Sequence, residues 1–297
     1  MEARHEDPVA RLTPASCGVV GGGRMGAGIA HALLLAGARV VLVERDEREA
    51  AAARERVVRA VVGSVARGHL DDAAPVLARL ATATTATGAA ALADAALVIE
   101  AVPEDLDLKI ETFRRVAGAV AAGAVIASNT SSISLDLLAD AVPCPERVIG
   151  LHFFNPVPAS KLVEVVLGSR TSGELRLRAE GWVREWGKTP VTVKNSPGFA
   201  SSRLGVAIGL EAIRMLEEGV ASARDIDAAM TLGYGFPMGP LRLTDLVGID
   251  VRLGIARYLA KELGPRFAPP QLMIDMVERG DLGRKSGRGF YDWSEET

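Results

Sequence analysis

The chain is poor in cysteine, in net charge and in long apolar runs, and each shortage closes off a class of protein. Two cysteines in 297 residues, Cys17 and Cys144, give no basis for a disulfide scaffold or a metal site; Cys17 reads as a small core residue. A net charge of −3 makes no electrostatic case for nucleic acid or a membrane surface. The longest uncharged apolar stretch, Val116 to Ala127, is too short to span a bilayer. No internal repeat and no low-complexity tract is present beyond an enrichment in alanine. The first residues carry both signs of charge and no apolar run, so 1–15 reads as a flexible tail rather than a targeting segment. The expectation is a cytoplasmic protein with a core large enough for two domains.

What is present is glycine in a particular setting. The stretch CGVVGGGRMGAGIAHALLLAGARVVLVERD (17–46) places Gly21, Gly23 and Gly26 in a G-x-G-x-x-G pattern. A short apolar strand precedes it, a helix-like run follows from Met25, and a second apolar strand ends in Glu44. That order is the dinucleotide-binding βαβ unit. Gly21 permits the tight turn, Gly23 lets the backbone approach a pyrophosphate, and Gly26 lets helix and strand pack. The helix start, with Arg24 and Met25, offers N–H groups to phosphates. Glu44 stands where a carboxylate binds the ribose hydroxyls, and it would repel a 2′-phosphate. NAD is therefore expected over NADP, with the adjacent Arg45 read as a solvated side chain.

Further along, a helix over 47–67 is followed by a second one over 71–80, read as a helical hairpin inserted into the sheet domain. Strands follow at 97–102, 124–128, 148–153, 162–167 and 190–193. The polar turn Asn129-Thr130-Ser131-Ser132 leaves the carboxyl end of one of them, where such sheets bind ligands. Asn195-Ser196-Pro197-Gly198 is a breaker cluster. The reading is thus α/β: a Rossmann-type, mostly parallel sheet domain over 16–194 and an all-helical domain over 195–297. Leu204 to Leu216 is apolar on more than one face, which points to a homodimer through the helical part. Trp182 and Trp186, one helical turn apart, read as packing.

His152 near a strand end and Glu164 on the next strand have the types needed for a general base and its orienting carboxylate. From the residues alone, a hydrogen-bonded polar histidine and a solvated strand glutamate fit as well.

The motifs GGGRMGAGIA, SNTSSIS, GLHFFNPVP, KLVEVV, NSPGF, GFPMGP and LGRKSGRGFYDW resemble, in order and over Cys17 to Trp293, the 3-hydroxyacyl-CoA dehydrogenase family, near its bacterial 3-hydroxybutyryl-CoA members. The resemblance implies an NAD-dependent oxidoreductase that interconverts a 3-hydroxyacyl and a 3-oxoacyl thioester. It assigns His152 as the base, Glu164 as its partner and Ser131 as the hydroxyl on the substrate's 3-oxygen. It places Glu104, Lys109, Asn129 and Lys285 at the cofactor and Arg67 on the CoA side. The family's catalytic Asn, just before an Arg, is replaced here by Ser202 before Arg203. An acyl-carrier-protein thioester, as in the making of polyketide extender units, stays open as the alternative substrate. So does a catalytically silent dinucleotide-binding protein. H-F-F-N-P in place of H-P-V-N-P argues against relatives acting on free hydroxy acids.

Overall fold

A computed structural model describes residues 12–295. The expected tail falls, for 1–11, outside the described residues; Thr13 is held, its N–H and hydroxyl donating to Glu185 while Trp186 Nε1 donates to its Oγ1 at 3.0 Å. The chain divides into two units, Met1–Asn195 and Ser196–Thr297.

The first unit is one sheet of eight strands: β1 (Ser16–Val20), β2 (Arg39–Glu44), β3 (Leu80–Thr84), β4 (Leu97–Glu100), β5 (Val125–Ser128), β6 (Val148–Phe153), β7 (Leu162–Leu167) and β8 (Thr189–Lys194). Their order across the sheet is β3-β2-β1-β4-β5-β6-β7-β8, and only the β6–β7 pair is antiparallel. The eight residues between β6 and β7 are too few for a crossover helix, so the chain must turn back. Helices α1 (Arg24–Leu35), α2 (Glu47–Ala66), α3 (Ala74–Leu77), α4 (Gly88–Leu92), α5 (Leu106–Ala119), α6 (Leu135–Ala139) and α7 (Gly173–Glu185) belong to this unit. The central strands β4, β5 and β6 are buried throughout, which is why they read as unbroken apolar runs. Trp182 and Trp186 are buried in this core, Trp186 stacked on Phe153 with centroids 5.6 Å apart.

The expected hairpin needs correction. Its return helix is the single turn α3, and the chain then enters β3, which pairs in parallel with β2. β3, Leu-Ala-Thr-Ala-Thr, is buried at Leu80 and Thr84 and exposed at Ala81 and Thr82; an edge strand needs no continuous apolar run, so periodicity passes over it.

The second unit is helical: α8 (Ser201–Glu217), α9 (Ala223–Gly233), α10 (Pro240–Val247), α11 (Ile249–Leu263) and α12 (Gln271–Arg279). Val206, Leu210, Ile213, Leu241, Leu253, Leu259 and Met273 form its core. Two buried carboxylates tie down its C-terminal segment. Asp245 accepts from Phe290 N, Tyr291 N and Trp293 Nε1 at 2.8–3.0 Å. Asp227 accepts from Leu241 N, Arg242 N and Tyr291 Oη at 2.7–2.9 Å. Among the described residues, no helix is long and apolar enough to cross a membrane.

Candidate active site

The glycine turn links β1 to α1. Gly21 has φ +94°, a left-handed conformation that favours glycine. A Cβ on Gly26 would come within 1.7 Å of the Gly21 carbonyl oxygen, so helix and turn are in direct contact there. Side chains cap α2, α5 and α7: Asp46, Asp105 and Ser172 each accept a first-turn N–H. Helix α1 has no side-chain cap. Its first turn, with exposed Gly23 and Arg24 and half-buried Met25, therefore keeps backbone donors for an anion.

Glu44 ends β2 beside this turn. Its Oε1 accepts from Gly22 N at 2.6 Å and its Oε2 from Arg45 N at 3.1 Å. Arg56 on α2, which sequence reasoning passed over, donates from Nη1 to the Gly22 carbonyl at 3.0 Å. It gave no signal because nothing in a helical run of Ala, Arg and Glu marks one arginine out. Arg45 is exposed and pairs with Asp46 and Glu49. An uncapped helix start, a carboxylate at the end of β2 and a bare glycine turn fit a dinucleotide.

Strands β4 and β5 carry the next layer. Five donors converge on Glu104 Oε1: the N–H groups of Ser131 and Ser132 and the hydroxyls of Thr130, Ser131 and Ser132, at 2.6–3.2 Å. Burial alone would raise the Glu104 carboxyl; Lys109 and these donors outweigh it and hold it below the usual range. The Lys109 side chain is buried, with Nζ 2.6 Å from Glu100 Oε1 and 3.3 Å from Glu104 Oε2. Its ammonium thus lies beneath Glu104 rather than out at a cofactor surface. Glu100, which the sequence reading treated as ordinary strand, is fully buried. Burial pushes its carboxyl up, against the pull of Lys109, Ser128 and Val102.

Asn129 connects this turn to the next strand, its Oδ1 accepting from Phe153 N at 2.9 Å. One residue earlier stands His152. In the antiparallel register His152 faces Glu164, and Nδ1 lies 2.7 Å from Glu164 Oε2. Both side chains are buried, and the Phe154 ring lies 4.4 Å from the imidazole, centroid to centroid. An ionised carboxylate only accepts, so the proton of a neutral imidazole sits on Nδ1 and its lone pair on Nε2.

The remaining candidates stand on other elements. Arg67 caps the C-terminal end of α2 and is exposed. In the helical unit, Ser202 is the second residue of α8 and Lys285 pairs with Asp250 at 2.6 Å. A cavity of about 300 Å³ between α4 and α5, lined among others by Val20, Leu92 and Val116, contains none of the candidate residues.

Comparison with known proteins finds similarity over nearly the whole chain. Residues 16–196 match the family model for the 3-hydroxyacyl-CoA dehydrogenase NAD binding domain, and residues 198–293 match that for its C-terminal domain. A 3-hydroxybutyryl-CoA dehydrogenase of Mycobacterium tuberculosis is 43% identical over 279 residues, covering 93% of this chain and 97% of that protein. The mitochondrial hydroxyacyl-coenzyme A dehydrogenase of Sus scrofa is 38% identical over 282 residues, covering 93% and 90%. The crystal structure of (S)-3-hydroxybutyryl-CoA dehydrogenase from Ralstonia eutropha superposes with a TM-score of 0.90 at 39% identity, covering 95% of this chain and 99% of that one. The chain belongs to the 3-hydroxyacyl-CoA dehydrogenase family of NAD-dependent oxidoreductases.

Proposed function

We propose that this protein catalyses the reversible NAD-dependent oxidation of a short-chain (S)-3-hydroxyacyl-CoA, 3-hydroxybutyryl-CoA foremost, to the 3-oxoacyl-CoA. The observation that carries the reading is the buried His152–Glu164 pair, 2.7 Å apart across β6 and β7, in a chain of this family. Relatives of this similarity bear CoA names; nothing comparable speaks for a carrier-protein substrate.

In the oxidation, His152 Nε2 takes the proton of the 3-hydroxyl, and Glu164 balances the imidazolium that forms. Ser131, whose hydroxyl is 3.2 Å from Glu104, is assigned to the substrate's 3-oxygen. In reduction the imidazolium returns the proton to that oxygen. NAD, when bound, supplies the hydride acceptor. The residues assigned to hold it are Gly21, Gly23, Arg24, Met25 and Gly26 for the pyrophosphate and Glu44 for the ribose, with Glu104, Asn129 and Lys285 contributing. Lys109 contributes through Glu104. Arg67 is assigned to the CoA side, and Ser202 to the place of the family asparagine.

We further assign a homodimer built through the helical unit. Leu204, Leu232, Tyr234, Leu243, Val247 and Val251 on or next to α8 to α11 are exposed, and Leu243 and Val247 are one turn apart on α10. Exposed apolar side chains on this unit support an interaction surface there. Two free cysteines fit a reducing, cytoplasmic setting.

The test is a spectrophotometric assay of NADH oxidation with acetoacetyl-CoA, with light scattering on the same sample. Absence of turnover with any short 3-oxoacyl-CoA would refute the activity. A monomer at micromolar concentration would refute the dimer.

A further inference from the structure

Glu100 ends β4, a central strand, where a carboxylate is expensive to desolvate. Every group around it is a donor. Oε1 accepts from Lys109 Nζ at 2.6 Å and from Val102 N at 2.7 Å. Oε2 accepts from Ser128 Oγ at 2.6 Å. Ser128 Oγ in turn accepts the Thr130 N–H at 3.1 Å, and the Glu100 carbonyl accepts the Asn129 N–H at 2.8 Å.

Two routes therefore run from this carboxylate to Ser131. One passes through Ser128 to the Thr130 backbone. The other passes through Lys109 to Glu104, on which the Ser131 N–H and hydroxyl converge. We propose that Glu100 and Ser128 are positioning residues of the reaction, which fix the Asn129–Ser132 turn and so set the Ser131 hydroxyl against the substrate's 3-oxygen. The inference rests on the dehydrogenase reading above.

A buried ion pair is a poor source of stability, because an apolar replacement of similar volume is often as stable or more so. It is a good source of geometry, because each lone pair has one satisfying arrangement. The pair reaches the backbone of the turn that carries Ser131 through Ser128, which accepts the Thr130 N–H, and through Glu104, which accepts the Ser131 N–H. Both properties fit a group kept for alignment.

The experiment compares wild type, Glu100→Gln and Ser128→Ala in kcat, in KM for acetoacetyl-CoA and in NADH affinity by nicotinamide fluorescence. Glu100→Gln should lower kcat about 10–100-fold, the scale of a misplaced reacting group, while KM and NADH affinity stay within about threefold. Ser128→Ala should do the same to about a tenth of wild-type kcat. If both variants keep wild-type kcat, or if only NADH affinity changes, the inference is overturned while the activity reading stands. Should Glu100→Gln fail to fold, Ser128→Ala, which removes one hydroxyl and unpairs no charge, decides alone. A wild-type chain without turnover would refute the activity reading and this inference with it.

Discussion

His152 and Glu164 are direct cross-strand neighbours, joined Nδ1 to Oε2 at 2.7 Å on the single antiparallel pair of the sheet. Both strands are short and buried, so neither side chain can drift from the other. His152→Ala should lose about 10²–10⁴-fold in kcat while keeping NADH affinity, because a general base acts on the chemical step. Glu164→Gln should be nearly as damaging, since the amide cannot balance an imidazolium. Near-native kcat in either variant would remove the pair from the mechanism.

Arg56 holds the Gly22 carbonyl from one side while Glu44 holds the Gly22 N–H from the other. Loss of one such bond is worth about 1 kcal/mol, roughly fivefold in Kd. Arg56→Ala should therefore weaken NADH about fivefold with little effect on kcat at saturation. Fluorescence titration with unchanged Kd would show that the turn keeps its shape unaided.

Glu44, assigned to the ribose, should also set cofactor choice. A carboxylate at the end of β2 accepts ribose hydroxyls and repels a 2′-phosphate, and Arg45 is already engaged by Asp46 and Glu49. NADH should exceed NADPH in kcat/KM, and Glu44→Ala should narrow the ratio. Equal use of both cofactors by wild type would overturn this.

His31 is buried on α1, with Nε2 2.9 Å from Ser64 Oγ. The Ser64 hydroxyl also reaches the Ala60 carbonyl at 3.2 Å, so Ser64 accepts from Nε2–H. The other ring nitrogen, Nδ1, is buried with no partner. A second proton would have no acceptor, and burial, helped by Arg67 and Lys188, lowers the pKa from 6.5 to about 4. Between those values the unfolded chain binds more protons than the folded one. Stability is therefore complete above pH 6.5 and falls as pH drops toward 4, by about 3 kcal/mol at most. Urea unfolding at pH 7 and pH 5 should show this loss in wild type and less of it in His31→Gln. An equal loss in both would place it elsewhere.

Ser202 falls where the family resemblance places an asparagine. A hydroxyl is shorter than a carboxamide and lacks its two separate polar ends; a bridging water can make up the reach at a cost of at most about 2 kcal/mol. Ser202→Asn should then raise kcat/KM on acetoacetyl-CoA. A decrease would instead mark a substrate with an extra polar group on the acyl chain. Unchanged kinetics on every thioester would mean that this position does not touch the chemistry.

The sequence by itself determined the glycine turn, the acid at the end of β2 and the buried strands, while the His–Glu pair was open from its residues alone and was singled out by the family resemblance of its motifs. Each rests on local rules: the left-handed turn at Gly21, unbroken apolar runs in β4, β5 and β6, and motifs whose residues lie close together along the chain. β3 escaped because an edge strand is paired on one side and half exposed, so it carries no continuous apolar signal. The return helix of the expected hairpin was over-read from alanine-rich sequence for the same reason: propensity without a buried face is a weak guide. Only the tertiary structure decided what Glu100, Lys109 and Arg56 touch. Glu100 and Ser128 are 28 residues apart and meet because β4 and β5 pair in register. Arg56 and Gly22 are 34 residues apart and meet because α2 packs back beside the turn. Which carboxylate lies under a lysine, and which arginine caps a loop, depends on how strands and helices pack, and that is a property of distances in space that spacing along the chain does not encode.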